Sequence, residues 1–346
     1  MILNDKHQDM RTPPNVHNLS GTVRRVGVEL EFAGLSSEQA AELVADSFDG
    51  TTRPIDMPFV LSVADTKWGE FQVELDTQYV HPEKDLGDIL EESSLPVSKE
   101  DIKTVRNLNS YVRQHWVGKA LAGVVPTEIV TPPIPWDELG ELEILVEALR
   151  AHGAKGTDDG VVYSFGVHLN PEIAREDVDY ILAVLRAYML LSDWLRDEIH
   201  VDLMRKILPH IDPFPKEYAV KILAADYAPD LDALIKDYFA MNPTRNRELD
   251  MLPLFKHLAP KTLAKLTDDE RIKARPTFHY RLPNMCLSDP GWSVVQEWNR
   301  WVAVETLAAD EDTLRRLGDS YLANAKSPIG EWLKEVRLWL ENLTNP

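Results

Sequence analysis

Three stretches of this chain alternate a polar side chain with an aliphatic or aromatic one at a strict period of two, which a helix cannot use and a half-covered strand requires. The first is a strand expected over 23–32, whose residues 25–32 read Arg-Val-Gly-Val-Glu-Leu-Glu-Phe; the others are residues 70–76, Glu-Phe-Gln-Val-Glu-Leu-Asp, and residues 164–170, Ser-Phe-Gly-Val-His-Leu-Asn. Val26, Val28, Leu30 and Phe32 share one side of the first, with Arg25, Gly27, Glu29 and Glu31 on the other. Phe71, Val73 and Leu75 oppose Glu70, Gln72, Glu74 and Asp76 in the second. In the third, Phe165, Val167 and Leu169 oppose Ser164, Gly166, His168 and Asn170. A fourth run, 124–131, sets Glu128 and Val130 opposite Thr127, Ile129 and Thr131 before Pro132 and Pro133 end it. The apolar sides demand a cover, and the other sides then form one polar face.

That face offers Glu29, Glu31, Glu70, Glu74, Glu128 and His168, with Arg25 as its only cation. Like charges opposite one another on neighbouring strands are destabilising, so such carboxylates repel, take up protons or hold divalent cations. Two readings of the face follow: a wet antiparallel surface, or a site for Mg²⁺ or Mn²⁺, which accept carboxylates and one imidazole.

Around these strands the pattern is mixed. Residues 1–20 are polar, with Pro13 and Pro14, and read as a flexible tail. Ser36-Ser37-Glu38-Gln39 reads as a capping box opening a helix that stops near Gly50. Residues 59–64 and 71–80 suggest a hairpin across Asp65-Thr66-Lys67-Trp68-Gly69. Helices are expected over 86–118, with a break at Pro96, and over 136–152, closed by Gly153. A strand is expected over 161–169. The rest is helical: a long amphipathic pattern over 178–208, then pieces at 215–240, 252–266 and 291–340. The order β-α-β-β-(α)-β-α-β followed by helices predicts an α+β chain with a mostly antiparallel sheet over 21–172 and a mainly helical region over 173–346.

Of 346 residues, 57 are acidic and 37 basic, a net charge of −20, which repels a phosphate backbone and argues against nucleic acid as a partner. A small phosphate ligand held by local metal ions and arginines remains compatible. No apolar run approaches a membrane span, the first twenty residues show no secretory pattern, and the one cysteine, Cys286, cannot make an internal disulfide. No membrane partner and a cytoplasmic location are therefore expected. Cys286 reads as a small buried group, and Trp292, Trp298 and Trp301 as helical core.

Several motifs resemble the amidoligase family of the carboxylate–amine ligase superfamily, which also holds glutamine synthetase and glutamate–cysteine ligase. They are Gly27-Val28-Glu29-Leu30-Glu31-Phe32, Glu128-Ile129-Val130-Thr131-Pro132-Pro133 and Phe165-Gly166-Val167-His168-Leu169-Asn170, with Asp65 followed by Trp68-Gly69-Glu70-Phe71 and Glu74. Tyr280-Arg281-Leu282-Pro283-Asn284 resembles the family's arginine-and-asparagine strand, and Glu297-Trp298-Asn299-Arg300 is a loose counterpart of its glutamate–arginine pair. The resemblance implies a curved, mostly antiparallel sheet with helices on its convex face, a glutamine synthetase-like catalytic fold, to which residues 276–300 return. It implies ATP and Mg²⁺ or Mn²⁺ as cofactors, and an ATP-dependent amide bond, of isopeptide or γ-glutamyl type, formed through an acyl phosphate. The substrates would be a small-molecule or peptide carboxylate and an amine. Glu29, Glu31, Glu74, Glu128 and His168 would hold metals. Arg281 and Arg300, with Asn284, would contact the nucleotide, and Asp65 would orient or deprotonate the amine. The same acidic cluster would also serve a metal-dependent amide hydrolase, or a degenerate ligase domain acting as a binding module.

Overall fold

The computed structural model describes residues 9–55, 60–75, 126–159, 165–199, 211–324 and 331–344. Among these are ten α-helices and one antiparallel sheet of seven strands, so the chain is α+β. The first strand, β1 (Arg25–Phe32), leads into α1 (Ser37–Phe48), followed by β2 (Thr51–Pro54), β3 (Val60–Thr66), β4 (Gly69–Leu75), β5 (Thr127–Val130) and β6 (Ile134–Pro135). A 3₁₀ segment, Trp136–Leu142, precedes α2 (Glu143–Ala151), and β7 (Val167–Pro171) precedes α3 (Val178–Ile199). Then come α4 (Lys216–Leu223), α5 (Leu231–Met241), α6 (Leu252–Leu258), α7 (Pro260–Leu263), α8 (Val294–Ala309), α9 (Glu311–Asn324) and α10 (Glu331–Thr344). The helix expected over 86–118 lies outside the described residues, as do residues 200–208 of the one expected over 178–208, residues 76–80 of the run at 71–80 and residues 161–164 of the run at 161–169.

Strands run in the order β2-β3-β4-β5-β1. β6 continues along the first residues of β1 on the β5 side, and β7 takes the opposite edge. The switch from β5 to β6 is pinned at Thr131, whose hydroxyl accepts from Val28 N–H at 2.9 Å while its own N–H donates to Val28 O at 2.9 Å. Val26, Val28, Leu30 and Phe32 are all buried, as the alternation requires.

Helix α1 opens on the capping box: Ser36 caps Gln39 N–H and the Gln39 side chain returns to Ser36 N–H. It lies on the apolar side of β3 and β4, where Phe48 stacks on Phe71 at 5.3 Å and tilts against Trp68 at 5.0 Å. The acidic face is therefore left on the other side of the sheet.

The structure departs from the sequence pattern in four places. Strand β2 is exposed along its whole length and reads Thr-Thr-Arg-Pro; an edge strand with no buried face leaves no alternation to find. The expected helix over 136–152 is α-helical only from Glu143, the earlier turns being 3₁₀ and carrying Gly140, a weak helix former. Residues 9–18 are not loose: Arg11 N–H donates to Asn299 Oδ1 at 2.8 Å, Trp298 Nε1 donates to Arg11 O at 3.0 Å, and Pro13 is buried. The segment is held to α8 through its backbone. Finally, residues 277–284 run beside β7 through separate bridges, Glu172 with Thr277, Leu169 with Tyr280 and Gly166 with Asn284, rather than as a continuous strand. Trp292, Trp298 and Trp301 are buried, the last two on α8, as the helical spacing suggested.

One ion pair locks these layers. Arg24 and Glu305 are 1% and 2% exposed and meet through two hydrogen bonds, of 2.8 and 2.6 Å. Arg24 also donates to the carbonyls of Glu172 and Asn15, and Trp301 Nε1 donates to Glu305.

Candidate metal centre

Register brings the polar residues together. Across three neighbouring strands Glu31 stands opposite Glu128, and Glu128 opposite Glu74. On the other edge of β1, Glu29 stands opposite His168 and Gly27 opposite Asn170. Antiparallel partners lie about 4.5–5.5 Å apart at Cα, so the carboxylates of such a row are forced into contact. Glu29, Glu31 and His168 are nonetheless buried.

Two overlapping groups have ligand atoms all within 4.8 Å of one another: Glu29, His168 and His279, and Glu31, Glu128 and His168. His168 joins them. Its Nδ1 is 2.8 Å from Glu29 Oε2 and its Nε2 is 3.5 Å from Glu31 Oε1. An imidazole that donates from Nδ1 to Glu29 turns a lone pair toward the Glu31 carboxylate, which a proton or a cation must relieve.

The second histidine is oriented just as closely. Asn170 Nδ2 donates to Glu29 Oε1 at 3.1 Å, so its Oδ1 is the atom 2.8 Å from His279 Nδ1. His279 thus donates from Nδ1 and keeps Nε2 as a ligand atom, the arrangement that orients metal-bound histidines. Burial pushes the His279 pKa well down, against the pull of Glu29, so the ring is neutral and able to ligate. Burial alone would raise the Glu29 pKa, but the His168 hydrogen bond, with His279, His168 and Arg275, holds it well below the usual carboxylate range. Glu74 is pushed up by burial and by the charge of Glu29, against a hydrogen bond with Glu128. Carboxylates with two imidazoles, oriented from behind and self-repelling without a cation, could hold a divalent metal ion, the carboxylates being the donors that suit Mg²⁺ or Mn²⁺.

The remaining residues expected at the site divide. Asn284 and Arg281 are buried beside it, Asn284 bridged to Gly166 and Arg281 donating to Arg245 O at 2.7 Å. The Gly166 N–H in turn donates to Glu31 Oε2 at 2.7 Å. Glu70 accepts from the Ser62 hydroxyl. Asp65 sits at φ 68° at a register shift of the β3–β4 hairpin, exposed and paired with Arg53 at 2.5 Å. Arg300 is inside the helical layer, paired with Glu297 at 2.5 Å and donating to Glu198 O. Arg25 donates to Pro133 O, while the cation that reaches Glu29 comes from elsewhere: Arg275, at 3.1 Å.

His279 and Arg275 are absent from the sequence-based set. A signal for His279 was present, because Thr277, His279 and Arg281 alternate with the fully buried Phe278, Tyr280 and Leu282. Arg275 lies outside that alternation and had none.

A family model described as "putative amidoligase enzyme" matches residues 22–303. No curated protein and no solved structure matches the chain.

Proposed function

Because the chain belongs to the amidoligase family, we propose that it is an ATP-dependent carboxylate–amine ligase that joins a carboxylate to an amine through an acyl phosphate, on a glutamine synthetase-like sheet. The observation that carries this reading is the row Glu31–Glu128–Glu74 beside the Glu29–His168 pair on one face of the sheet. A carboxylate resists attack by an amine because its leaving group is poor; phosphorylation makes it an electrophile. Phosphoryl transfer is mostly positioning and charge neutralisation, which divalent ions supply when bound.

In this reading Glu29, His168 and His279 hold one ion, and Glu31, Glu128 and Glu74 another. Asn170 fixes His279, and the Gly166 N–H fixes Glu31. Arg281 and Asn284 are proposed for the nucleotide side, since a planar guanidinium suits phosphate oxygens. Arg300 would have to leave Glu297 to join them. Asp65, whose backbone sits in the left-handed region at a bulge, is proposed to receive or orient the amine once released from Arg53. A location in the cytoplasm and small-molecule or peptide substrates accompany the reading. No helix of the described residues is long and apolar enough to cross a membrane.

The test is incubation with ATP, Mg²⁺ and pools of carboxylates and amines, reading ADP, phosphate and products by mass. The expected result is substrate-stimulated ADP release with a product mass of carboxylate plus amine minus water. Both Glu31→Ala and Glu128→Ala should lower that release by at least about 100-fold, the scale of losing metal ligation or its close support. Amide cleavage without nucleotide would instead establish the hydrolase, and silence in both assays the binding module.

A further inference from the structure

Arg275 is an unusual partner for Glu29. It belongs to a segment, 271–281, that carries Arg271, Lys273, Arg275, His279 and Arg281 and no acid, in a chain of net charge −20. Its backbone is anchored, the N–H donating to Pro253 O at 3.2 Å. Its side chain is 46% exposed and meets Glu29 through one contact, Nη1 to Oε1 at 3.1 Å, rather than as a two-pronged pair. Among the described residues this is the only hydrogen bond or ion pair of that guanidinium. Glu29, by contrast, is 11% exposed at the side chain and already accepts from His168 on one oxygen and Asn170 on the other. The carboxylate is fixed, and the arginine is a long arm resting on it.

We propose that Arg275 is an exchangeable counter-ion: it neutralises Glu29 until a divalent cation enters the Glu29–His168–His279 group, and is then released to bind an anionic oxygen of the incoming ligand. The inference rests on the metal-dependent reading above. The cation would use the Glu29 carboxylate that Arg275 touches, and two positive charges cannot share it without repulsion. A half-exposed single-contact pair holds too weakly to resist such an exchange. Once released, the guanidinium stands at the rim of the site with its donors unspent, a shape that suits a phosphate or carboxylate. Metal and anion binding are thereby coupled, because each favours the state in which Arg275 has left Glu29. The anion is a phosphate group of the nucleotide or the carboxylate of the other substrate.

The experiment is calorimetric titration of the full chain with Mn²⁺ alone, then with ADP in the presence of Mn²⁺, for the wild type, Arg275→Ala and Arg275→Lys, with the carboxylate KM from ADP release. Arg275→Ala should bind Mn²⁺ alone roughly 3- to 10-fold more tightly, since it has lost a competing cation. It should lose roughly 10-fold in either ADP affinity or carboxylate KM; the first identifies a phosphate, the second the substrate carboxylate. Arg275→Lys, which keeps the charge but not the fork, should lie between. Unchanged or weaker Mn²⁺ binding in Arg275→Ala overturns the counter-ion role. Unchanged ADP affinity together with unchanged KM overturns the anion role. Both variants change an exposed side chain, and a melting curve for each checks folding. The Mn²⁺ titration needs no turnover, so it stands or falls separately from the ligase reading.

Discussion

Asp250 shows what a single buried carboxyl does when only one oxygen is satisfied. Oδ1 accepts from Leu252 N–H at 3.0 Å, while Oδ2 is buried with no hydrogen-bond partner. Burial pushes its pKa up to about 6, against the Leu252 N–H, Arg281 and Arg245. A carboxyl whose pKa is raised on folding binds protons more tightly in the native state. Its protonated form therefore favours folding at low pH, and stability falls as pH rises through about 6. The whole effect is worth about 3 kcal/mol at most. Asp250→Asn keeps the acceptor for Leu252 and removes the charge. Its stability relative to wild type, from urea unfolding, should therefore be greater at pH 8 than at pH 4 by about 1–3 kcal/mol. An equal difference at both pH values would contradict the assignment.

Between elements, the tie that matters most is Arg24 with Glu305, because it joins the entry of β1 to α8. Removing one member of a buried pair leaves an uncompensated charge, so Arg24→Met or Glu305→Leu alone should cost about 3–5 kcal/mol, while the double variant should recover most of the loss. Denaturant unfolding of the three variants checks this; additive losses would refute it. No sequence pattern announces this pair, since its partners are 281 residues apart. The same contrast runs through the fold. β1, β4, β5 and β7 were legible because apolar and polar residues alternate along them, in β7 even though both faces are buried, and the register that lines up Glu31, Glu128 and Glu74 follows once those strands pair. β2 buries nothing and left no trace. Residues 277–284 alternate as a strand does, but their bridges to β7 are isolated, and His279 was overlooked with them. The hydrogen bonds of residues 9–15 to α8 and to Arg24 are made by their backbone atoms, which any sequence possesses.

For the whole molecule, net charge and the acidic face act in the same direction: both make a cation that binds the native state stabilising. Mn²⁺ at about 100 times its dissociation constant adds roughly 2.7 kcal/mol to folding, and a chain of this size should respond with a rise of several degrees in melting temperature. Thermal scans with MnCl₂ and with KCl at matched ionic strength separate site binding from screening. The Mn²⁺ excess should shrink sharply in Glu31→Ala, and equal shifts for both salts would remove the case for a specific site.

The central position of β1 has a consequence for how the chain is made. Its partners extend to residue 171, and the segment ahead of it is fastened by side chains at 299 and 305. During synthesis on the ribosome β1 must therefore wait until residue 171 for its last strand partner, and the segment ahead of it must wait for α8. Long-range closure of this kind slows folding, and at growth temperature the interval before closure is when nascent copies are most exposed to chaperones, proteases and one another.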